Sequence, residues 1–373
     1  MSSQSKLILL SAGGTGGHMF PADALARDLL SRGYRVALAT DERGKKYSGF
    51  VSGVPVHVLS SGGLHPGIMS KVKTVLSLIA GYCQARKLIK QIEPSVVVGF
   101  GGYPSFPAVY AAQKKRIPTI IHEQNAVIGQ ANVMLAPKAS KLATNLSKVE
   151  GISPDDTVRM VITGNPVRPD IAALYNKPYP VIEQDGPLRI FVMGGSQGAS
   201  VFSDVLPVAF SRLSPDYRAR LDIVQQAREA DIDALRAAYA KAGIKAHLQT
   251  FFDDVPAQLE RAHLVISRSG ASTVAEVTTA GRPAIFVPYP HHADQQQKKN
   301  ADAVADAGGA WVMTQNGFTP DALLARTETF LQNPQILFRA AEKARACGKP
   351  DAARRLGNLV TSLASGWDSS EPL

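Results

Sequence analysis

Ser267-Arg268-Ser269-Gly270-Ala271-Ser272 is a run of small and polar residues from which backbone N–H groups can approach a ligand closely. Thr273 to Thr279 reads as a helix following it, and amides at such a helix start, with the positive end of the dipole, suit a phosphate. Glu276 stands one turn further on. Thr273-Val274-Ala275-Glu276 fits a capping box, in which the carboxylate only satisfies the helix's first amides. The same carboxylate would also accept hydrogen bonds from the two hydroxyls of a ribose whose phosphates sit at the turn, and spacing leaves both readings open. Further on, Gln295-Gln296-Gln297 makes the stretch Pro288 to Asn300 too rich in amides for a plain connector; these groups suit a sugar.

Three earlier glycine loops repeat the pattern of short apolar strand, small residues, then helix: Ala12-Gly13-Gly14-Thr15-Gly16-Gly17-His18, Gly99-Phe100-Gly101-Gly102-Tyr103-Pro104-Ser105, and Gly194-Gly195-Ser196-Gln197-Gly198-Ala199. Two such loops in the first half imply a second anionic ligand. A lone histidine is more often structural, yet His18, at the lip of its loop, is placed to reach a ligand and would need only its ordinary pKa to serve as a base. His122-Glu123-Gln124-Asn125 is a polar strand end, and the zinc pattern H-E-x-x-H fails there because Ala126 takes the last position. Arg168, after Gly164-Asn165-Pro166-Val167, either clamps a diphosphate or is a solvated charge.

Rival chemistries are weaker. An NAD fold would use Asp41 at the end of the second strand, but Met19 stands where the third glycine or alanine of G-x-G-x-x-G belongs. A serine hydrolase would use Ser196 in G-x-S-x-G, Asp253 or Asp254, and His291; that leaves two glycine loops and Glu276 without a role. Asp231-Ile232-Asp233 lies within a helical pattern from Arg228 to Ala242, so we expect a solvated face there and no metal.

The positioning elements are those of an α/β protein. Strands are expected at Lys6 to Ser11, Tyr34 to Thr40, Val96 to Val98 and Thr119 to Ile121, then at Leu188 to Met193, Leu221 to Val224, Ala246 to Gln249, Leu264 to Ile266 and Ala284 to Val287. Two similar units with a cleft between them is the economical fold: residues 1–165, a linker at 166–187, and residues 188–349, with a last helix near 350–366 crossing back to the first unit. The length of 373 residues fits two domains. The only cysteines, Cys83 and Cys347, exclude a disulfide framework, and no apolar run reaches membrane-spanning length. The net charge of +10 is uneven, because residues 1–165 carry 19 Lys and Arg against 9 Asp and Glu while the remainder carries 22 against 22. A basic first half points to a polyanion, either a phospholipid surface or nucleic acid. Nucleic acid would call for aromatic residues among the lysines, and Lys114-Lys115-Arg116 has only Tyr110 nearby. From Ile68 to Ile92 a helical stripe of Met69, Val72, Val75, Leu76, Ile79, Tyr82 and Cys83 runs beside Lys71, Lys73, Arg86, Lys87 and Lys90. It reads as a core helix with a basic face, or as a peripheral membrane contact.

Taken in order, the loop ending in His18, the loop with Tyr103, His122-Glu123-Gln124-Asn125, Gly164-Asn165-Pro166-Val167-Arg168, Gly194-Gly195-Ser196-Gln197-Gly198 and Arg268-Ser269-Gly270-Ala271 closely resemble the MurG family of bacterial transferases. The resemblance spans nearly the whole chain. It implies a GT-B fold, two Rossmann-like domains whose parallel sheets face a deep cleft, and inverting transfer of N-acetylglucosamine from UDP-N-acetylglucosamine to the muramyl 4-hydroxyl of an undecaprenyl-pyrophosphoryl lipid acceptor. It further implies no cofactor or metal, a peripheral seat on the cytoplasmic face of the anionic inner membrane, and cell-wall synthesis and division proteins as partners. By position it assigns Thr15, Gly16, Gly17 and Asn125 to the donor's diphosphate and sugar, Arg168 and Ser196 near the donor, Phe252 beside uracil, Ala271, Ser272, Thr273, Val274, Ala275 and Glu276 around the nucleotide, and Gln296 and Gln297 to the sugar. His18 is the implied base, and Gly101, Gly102 and Tyr103 lie on the acceptor side. Ser272 departs from a bulkier apolar residue that can occur in the family.

Overall fold

A computed structural model describes residues 5–14, 16–45, 53–62, 68–183, 185–195, 199–292 and 294–366. The chain divides into two compact units, one of Met1–Arg168 with Asp351–Leu373 and the other of Pro169–Pro350.

The first unit is a seven-stranded sheet built from β1 (Leu7–Ser11), β2 (Arg35–Thr40), β3 (Val56–Val58), β4 (Val96–Gly99), β5 (Thr119–Glu123), β6 (Lys141–Thr144) and β7 (Met160–Ile162), ordered β3-β2-β1-β4-β5-β6-β7. All pairings are parallel, with Leu9 opposite Ala37 on one side and Val97 on the other. Leu7 to Leu10 and Val96 to Val98 are unbroken apolar runs because these central strands are covered on both faces. Helices α1 (Gly16–Ser31), α2 (Ile68–Ile92), α3 (Gly102–Lys114) and α4 (Gln130–Leu135) pack around them. The strand order reverses between β1 and β4, so the first two glycine loops flank the switch point where parallel sheets leave a crevice.

α1 begins at Gly16, inside the expected glycine loop Ala12 to His18, and His18 therefore lies in the first turn of the helix rather than at the lip of the loop. The helix Ala352–Ala364 belongs to this unit. Its residues Ala352, Leu356, Val360 and Ala364 are buried at a spacing of four, and Leu356, Val360 and Ala364 share a core with Ala22, Leu25, Ala26 and Leu29 of α1. Arg32 ties the two helices by donating to Asn358 Oδ1 and the Arg354 carbonyl. Gly357 allows the close approach, since a Cβ there would lie 2.0 Å from Asp28 Oδ2. Gly357→Ala is therefore expected to destabilise this unit by about 1–3 kcal/mol through overpacking, read as an earlier first transition in a calorimetric melt.

The second unit holds β8 (Leu188–Met193), β9 (Leu221–Gln226), β10 (Lys245–Gln249), β11 (Leu264–Ser267), β12 (Ala284–Phe286) and β13 (Ala310–Val312), ordered β10-β9-β8-β11-β12-β13 and again parallel. Its core joins Ile190, Val192, Phe202, Phe210, Ile223 and Ile266. Residues 169–183 and 185–187, expected as part of a linker, are folded onto this unit. Tyr179 donates to the His263 carbonyl at 2.8 Å, Arg345 donates to the Tyr175 and Lys177 carbonyls, and the Arg282 guanidinium lies 5.6 Å from the Tyr179 ring centre. A run of Pro and Gly marks irregular backbone, and here distant side chains give that backbone a fixed seat.

Candidate functional site

In the first unit the glycine positions at the start of α3 are set by a ring. Gly101 and Gly102 have φ of 84° and 71°, and a Cβ on either would come within 3.5 Å and 3.3 Å of the His18 imidazole. His18 Nδ1 is buried and makes no well-formed hydrogen bond, with the Phe100 carbonyl and the Gln124 side chain beside the ring. Burial, the largest influence, holds its pKa below the ordinary value of 6.5 against the opposing charge of Glu123. The lowered pKa favours the neutral form of the ring. Tyr103 donates to Gln130 Oε1 at 3.0 Å, and burial raises the pKa of its phenol.

The strand end His122-Glu123-Gln124-Asn125 builds the floor beside it. Gln124 Nε2 donates to the Phe100 carbonyl at 2.9 Å and to His122 Nδ1 at 3.0 Å. His122 Nδ1 therefore accepts, and its Nε2–H donates to the Gly164 carbonyl at 2.9 Å. Full burial holds His122 at about 4, so it is a neutral strut fixing the Gly164 loop rather than a proton carrier. Glu123 is 3% exposed. Its Oε1 accepts from Asn125 N and Nδ2 at 3.0 and 3.2 Å, and its Oε2 from Gly129 N and Asn132 Nδ2 at 2.9 and 2.7 Å. Asn125 is thus held in place by its neighbour two residues back. Arg168 stacks over Phe20 at 5.0 Å, which brings its guanidinium to the helix that carries His18. Thr15 lies outside the described residues.

Asp41 excludes the NAD reading geometrically. Its carboxylate turns inward to the amides of Gly14 and Gly44 instead of facing outward to a ribose.

In the second unit the turn after β11 opens the helix Ala271–Thr279, whose N-cap is Gly270 and whose start has no side-chain cap. The capping-box reading fails on register: Thr273 sits inside the helix, so it is not the N-cap that the box requires. Glu276 lies in the second turn at 9% exposure. Ala271 and Val274 are buried, while Ser272, Thr273 and Ala275 are partly open. Beneath the turn, the hydroxyls of Ser267 and Ser269 are buried and unpartnered. β8 and β11 flank the switch point of this sheet, so the turn sits where the fold leaves a crevice.

Expected as part of a loop, Gln296 begins the helix Gln296–Ala305, with Gln295 as its left-handed N-cap at φ 52°. Gln297 Oε1 accepts from Ser269 N at 3.3 Å and Tyr289 N at 3.0 Å, stapling the glutamine segment to the turn; Gln296 Nε2 lies 3.1 Å from His292 Nδ1. Arg268 anchors the same segment by donating to the Val287 and Pro288 carbonyls and Gln315 Oε1 at 3.0, 3.1 and 2.7 Å. Phe252 turns inward, edge-on to Phe191 at 5.6 Å, so only its backbone can meet a base. The exposed aromatic is its neighbour Phe251 at 62%, which sequence reasoning missed.

The hydrolase reading finds no support. Ser196 lies outside the described residues, Asp254 accepts from Gln258 at 2.7 Å, and His291 packs edge-on to Tyr289. Neither Asp253 nor Asp254 bonds His291, as a triad requires. Asp231 and Asp233 do not share a helix turn: a 3₁₀ turn ends at Asp231 and the helix starts at Ile232, while Arg228 and Arg236 pair with the two carboxylates.

Residues 8–144 match the glycosyltransferase family 28 N-terminal domain and residues 189–356 the family 28 C-terminal domain. The chain is 54% identical over 357 residues to a "UDP-N-acetylglucosamine--N-acetylmuramyl-(pentapeptide) pyrophosphoryl-undecaprenol N-acetylglucosamine transferase" of Rhodospirillum centenum, covering 96% of this chain and 94% of that one. A transferase of the same description from Paramagnetospirillum magneticum is 49% identical, over 97% of this chain and 98% of that one. Among solved structures, a crystal structure of Acinetobacter baumannii MurG superimposes with a TM-score of 0.77 at 31% identity, over 96% of this chain and 99% of that one.

Proposed function

The chain belongs to glycosyltransferase family 28, and on that premise we propose that it transfers N-acetylglucosamine from UDP-N-acetylglucosamine to the muramyl 4-hydroxyl of the pentapeptide-bearing pyrophosphoryl-undecaprenol lipid. The observation that carries the reading is the junction of β11 with the helix Ala271–Thr279: a helix start with no side-chain cap, and a nearly buried carboxylate in its second turn. The helix start meets the diphosphate of the donor, and Glu276 accepts from both ribose hydroxyls. As UDP leaves, its growing charge is held by dipoles already in place, with no reorganisation needed at the moment of reaction. Gln296 and Gln297 bracket the sugar, and Phe251 lies beside the base as the exposed aromatic. On the acceptor unit, His18 takes the proton of the attacking hydroxyl, and Gly101, Gly102 and Tyr103 receive the acceptor. Incubating the chain with radiolabelled donor and a short-chain lipid acceptor tests the assignment. Label moves into the lipid product if it holds, and free N-acetylglucosamine alone would show a hydrolase.

The acceptor's lipid tail calls for contact with a bilayer, and α2 offers the surface. Val72, Val75, Leu76 and Ile79 are 52%, 55%, 61% and 55% exposed, contrary to the core-helix reading of this stripe, while Thr74, Ala85, Leu88 and Ile89 face the protein. Lys73, Arg86, Lys87 and Lys90 are exposed on the same helix. The side chains of Met69 and Lys71 lie outside the described ones. No helix among the described residues is long and apolar enough to cross a membrane, so we assign a peripheral seat on the anionic cytoplasmic face of the inner membrane. Changing Val75, Leu76 and Ile79 together to serine is expected to weaken cosedimentation with anionic vesicles by about tenfold or more, while kcat on a short-chain, water-soluble acceptor stays near wild type. Undiminished sedimentation of the variant would remove α2 from the contact.

A further inference from the structure

Asp41, at the end of β2, has no place in the donor or acceptor contacts assigned above, yet its carboxylate is fully committed. The side chain is 7% exposed. Oδ1 accepts from Gly14 N at 3.0 Å and from Gly44 N at 2.8 Å, and Oδ2 accepts from Arg43 Nε at 3.1 Å. A Cβ on Gly13 would lie 2.7 Å from Asp41 Oδ1 and 2.7 Å from Pro104 Cβ. One on Gly44 would lie 2.1 Å from Thr40 Oγ1 and 3.0 Å from Gly13 Cα. Gly13 is gripped between the carboxylate and the first turn of α3. Three segments therefore meet around Gly13: the first glycine loop, the turn after β2 with the Asp41 carboxylate, and the start of α3, against which the His18 ring rests.

We propose that Asp41 is a positioning residue for the transfer reaction, its Oδ1 holding the first glycine loop, and through it the start of α1 and His18, in register with the second glycine loop. The inference rests on the reading that His18 and these loops face the reacting groups. A chain segment so rich in glycine has little conformational preference of its own, and Gly14, at φ 82°, occupies a region few other residues enter. An external acceptor for the Gly14 amide supplies the constraint the loop lacks, and misplacing a reacting group by a fraction of its reach costs rate steeply. The positioning is done by hydrogen-bond acceptance at Oδ1; the carboxylate's charge also reaches His18, where it raises a pKa that burial keeps lowered. Oδ2 only meets Arg43, whose own side chain is 65% exposed.

This separation gives the test. Full-length Asp41→Ala, Asp41→Asn and Arg43→Ala are compared by steady-state kinetics on both substrates and by hydrogen exchange of the peptide spanning residues 12–18. Asp41→Ala is expected to lower kcat by about 10- to 100-fold with both KM values within about threefold, and to speed exchange in the loop. Asp41→Asn keeps an oxygen for both amides and is expected to restore kcat to within about threefold of wild type; Arg43→Ala, which leaves Oδ1 untouched, should behave likewise. Arg43→Ala as damaging as Asp41→Ala would show that charge is what matters and overturn the proposal. Unchanged exchange in Asp41→Ala overturns the clamp itself. Faster exchange with unchanged kcat takes the loop out of the reacting site, and the reading beneath the proposal falls with it. If Asp41→Ala does not fold, Asp41→Asn decides: near-normal kcat and exchange support the clamp, and a large loss of kcat overturns it.

Discussion

Glu276→Ala raises the KM for UDP-N-acetylglucosamine by about a hundredfold or more, with a smaller change in kcat. Each ribose hydroxyl bonded to a carboxylate is a charge-assisted contact of about 1.5–3 kcal/mol, and both are lost together while the diphosphate end of the site is untouched. The loss falls mainly on binding because the ribose is bonded in the ground state and in the transition state alike. Glu276→Gln keeps one acceptor oxygen and should lie between the two. A 2′-deoxyribose donor supplies the cross-check: it should bind wild type more weakly and lose less further affinity in Glu276→Ala than the ribose donor does, because only the 3′-hydroxyl contact is left to remove. Equal donor affinity in wild type and Glu276→Ala, measured by calorimetry, would return Glu276 to a structural role.

His18→Ala lowers kcat by about 10²- to 10⁴-fold, the range for removal of a general base, with donor affinity nearly unchanged. The pH profile carries a second signature. A base held below its ordinary value of 6.5 by burial stays neutral further into acid, so the acid limb of kcat/KM should lie below pH 6.5 and disappear from the residual activity of His18→Ala. His122 must be kept apart from this limb. Its folded pKa of about 4 lies below its unfolded value of 6.5, so its contribution to stability is present above pH 6.5 and is lost as the pH falls toward 4. Thermal melts across that window separate the acid weakening of the fold from the titration of the base. Near-normal turnover in His18→Ala would pass the proton to water or to another group.

Much of the fold could be read from local pattern. Unbroken apolar runs such as Ile190 to Met193 and Val96 to Val98 have few alternatives to buried parallel strands, and small residues after most of the early strands mark the βα turns. What escaped reading was decided by distant partners. The stripe on α2 is equally apolar whether it faces a core or a bilayer, and only the packing of Ala85, Leu88 and Ile89 against the sheet shows which side is left over. Phe251 and Phe252 are adjacent in an irregular stretch, where no periodicity says which ring turns inward. His122 became a strut because its tautomer is fixed by Gly164, 42 residues away. Asp41 stood where an outward acid would bind a ribose, and the amides of Gly14 and Gly44 drew it in. The register of Thr273 and Glu276 looked like a cap because the helix was expected to begin at Thr273, two residues later than it does. In each case the residue type was legible and its direction was not.

The most direct measurement is a crystal structure of the chain with UDP-N-acetylglucosamine bound. The diphosphate is expected at the amides of Ala271 to Thr273, with both ribose hydroxyls on the Glu276 carboxylate and the sugar beside Gln296 and Gln297. A nucleotide found away from the β11 turn, or bound there with its ribose clear of Glu276, would contradict it.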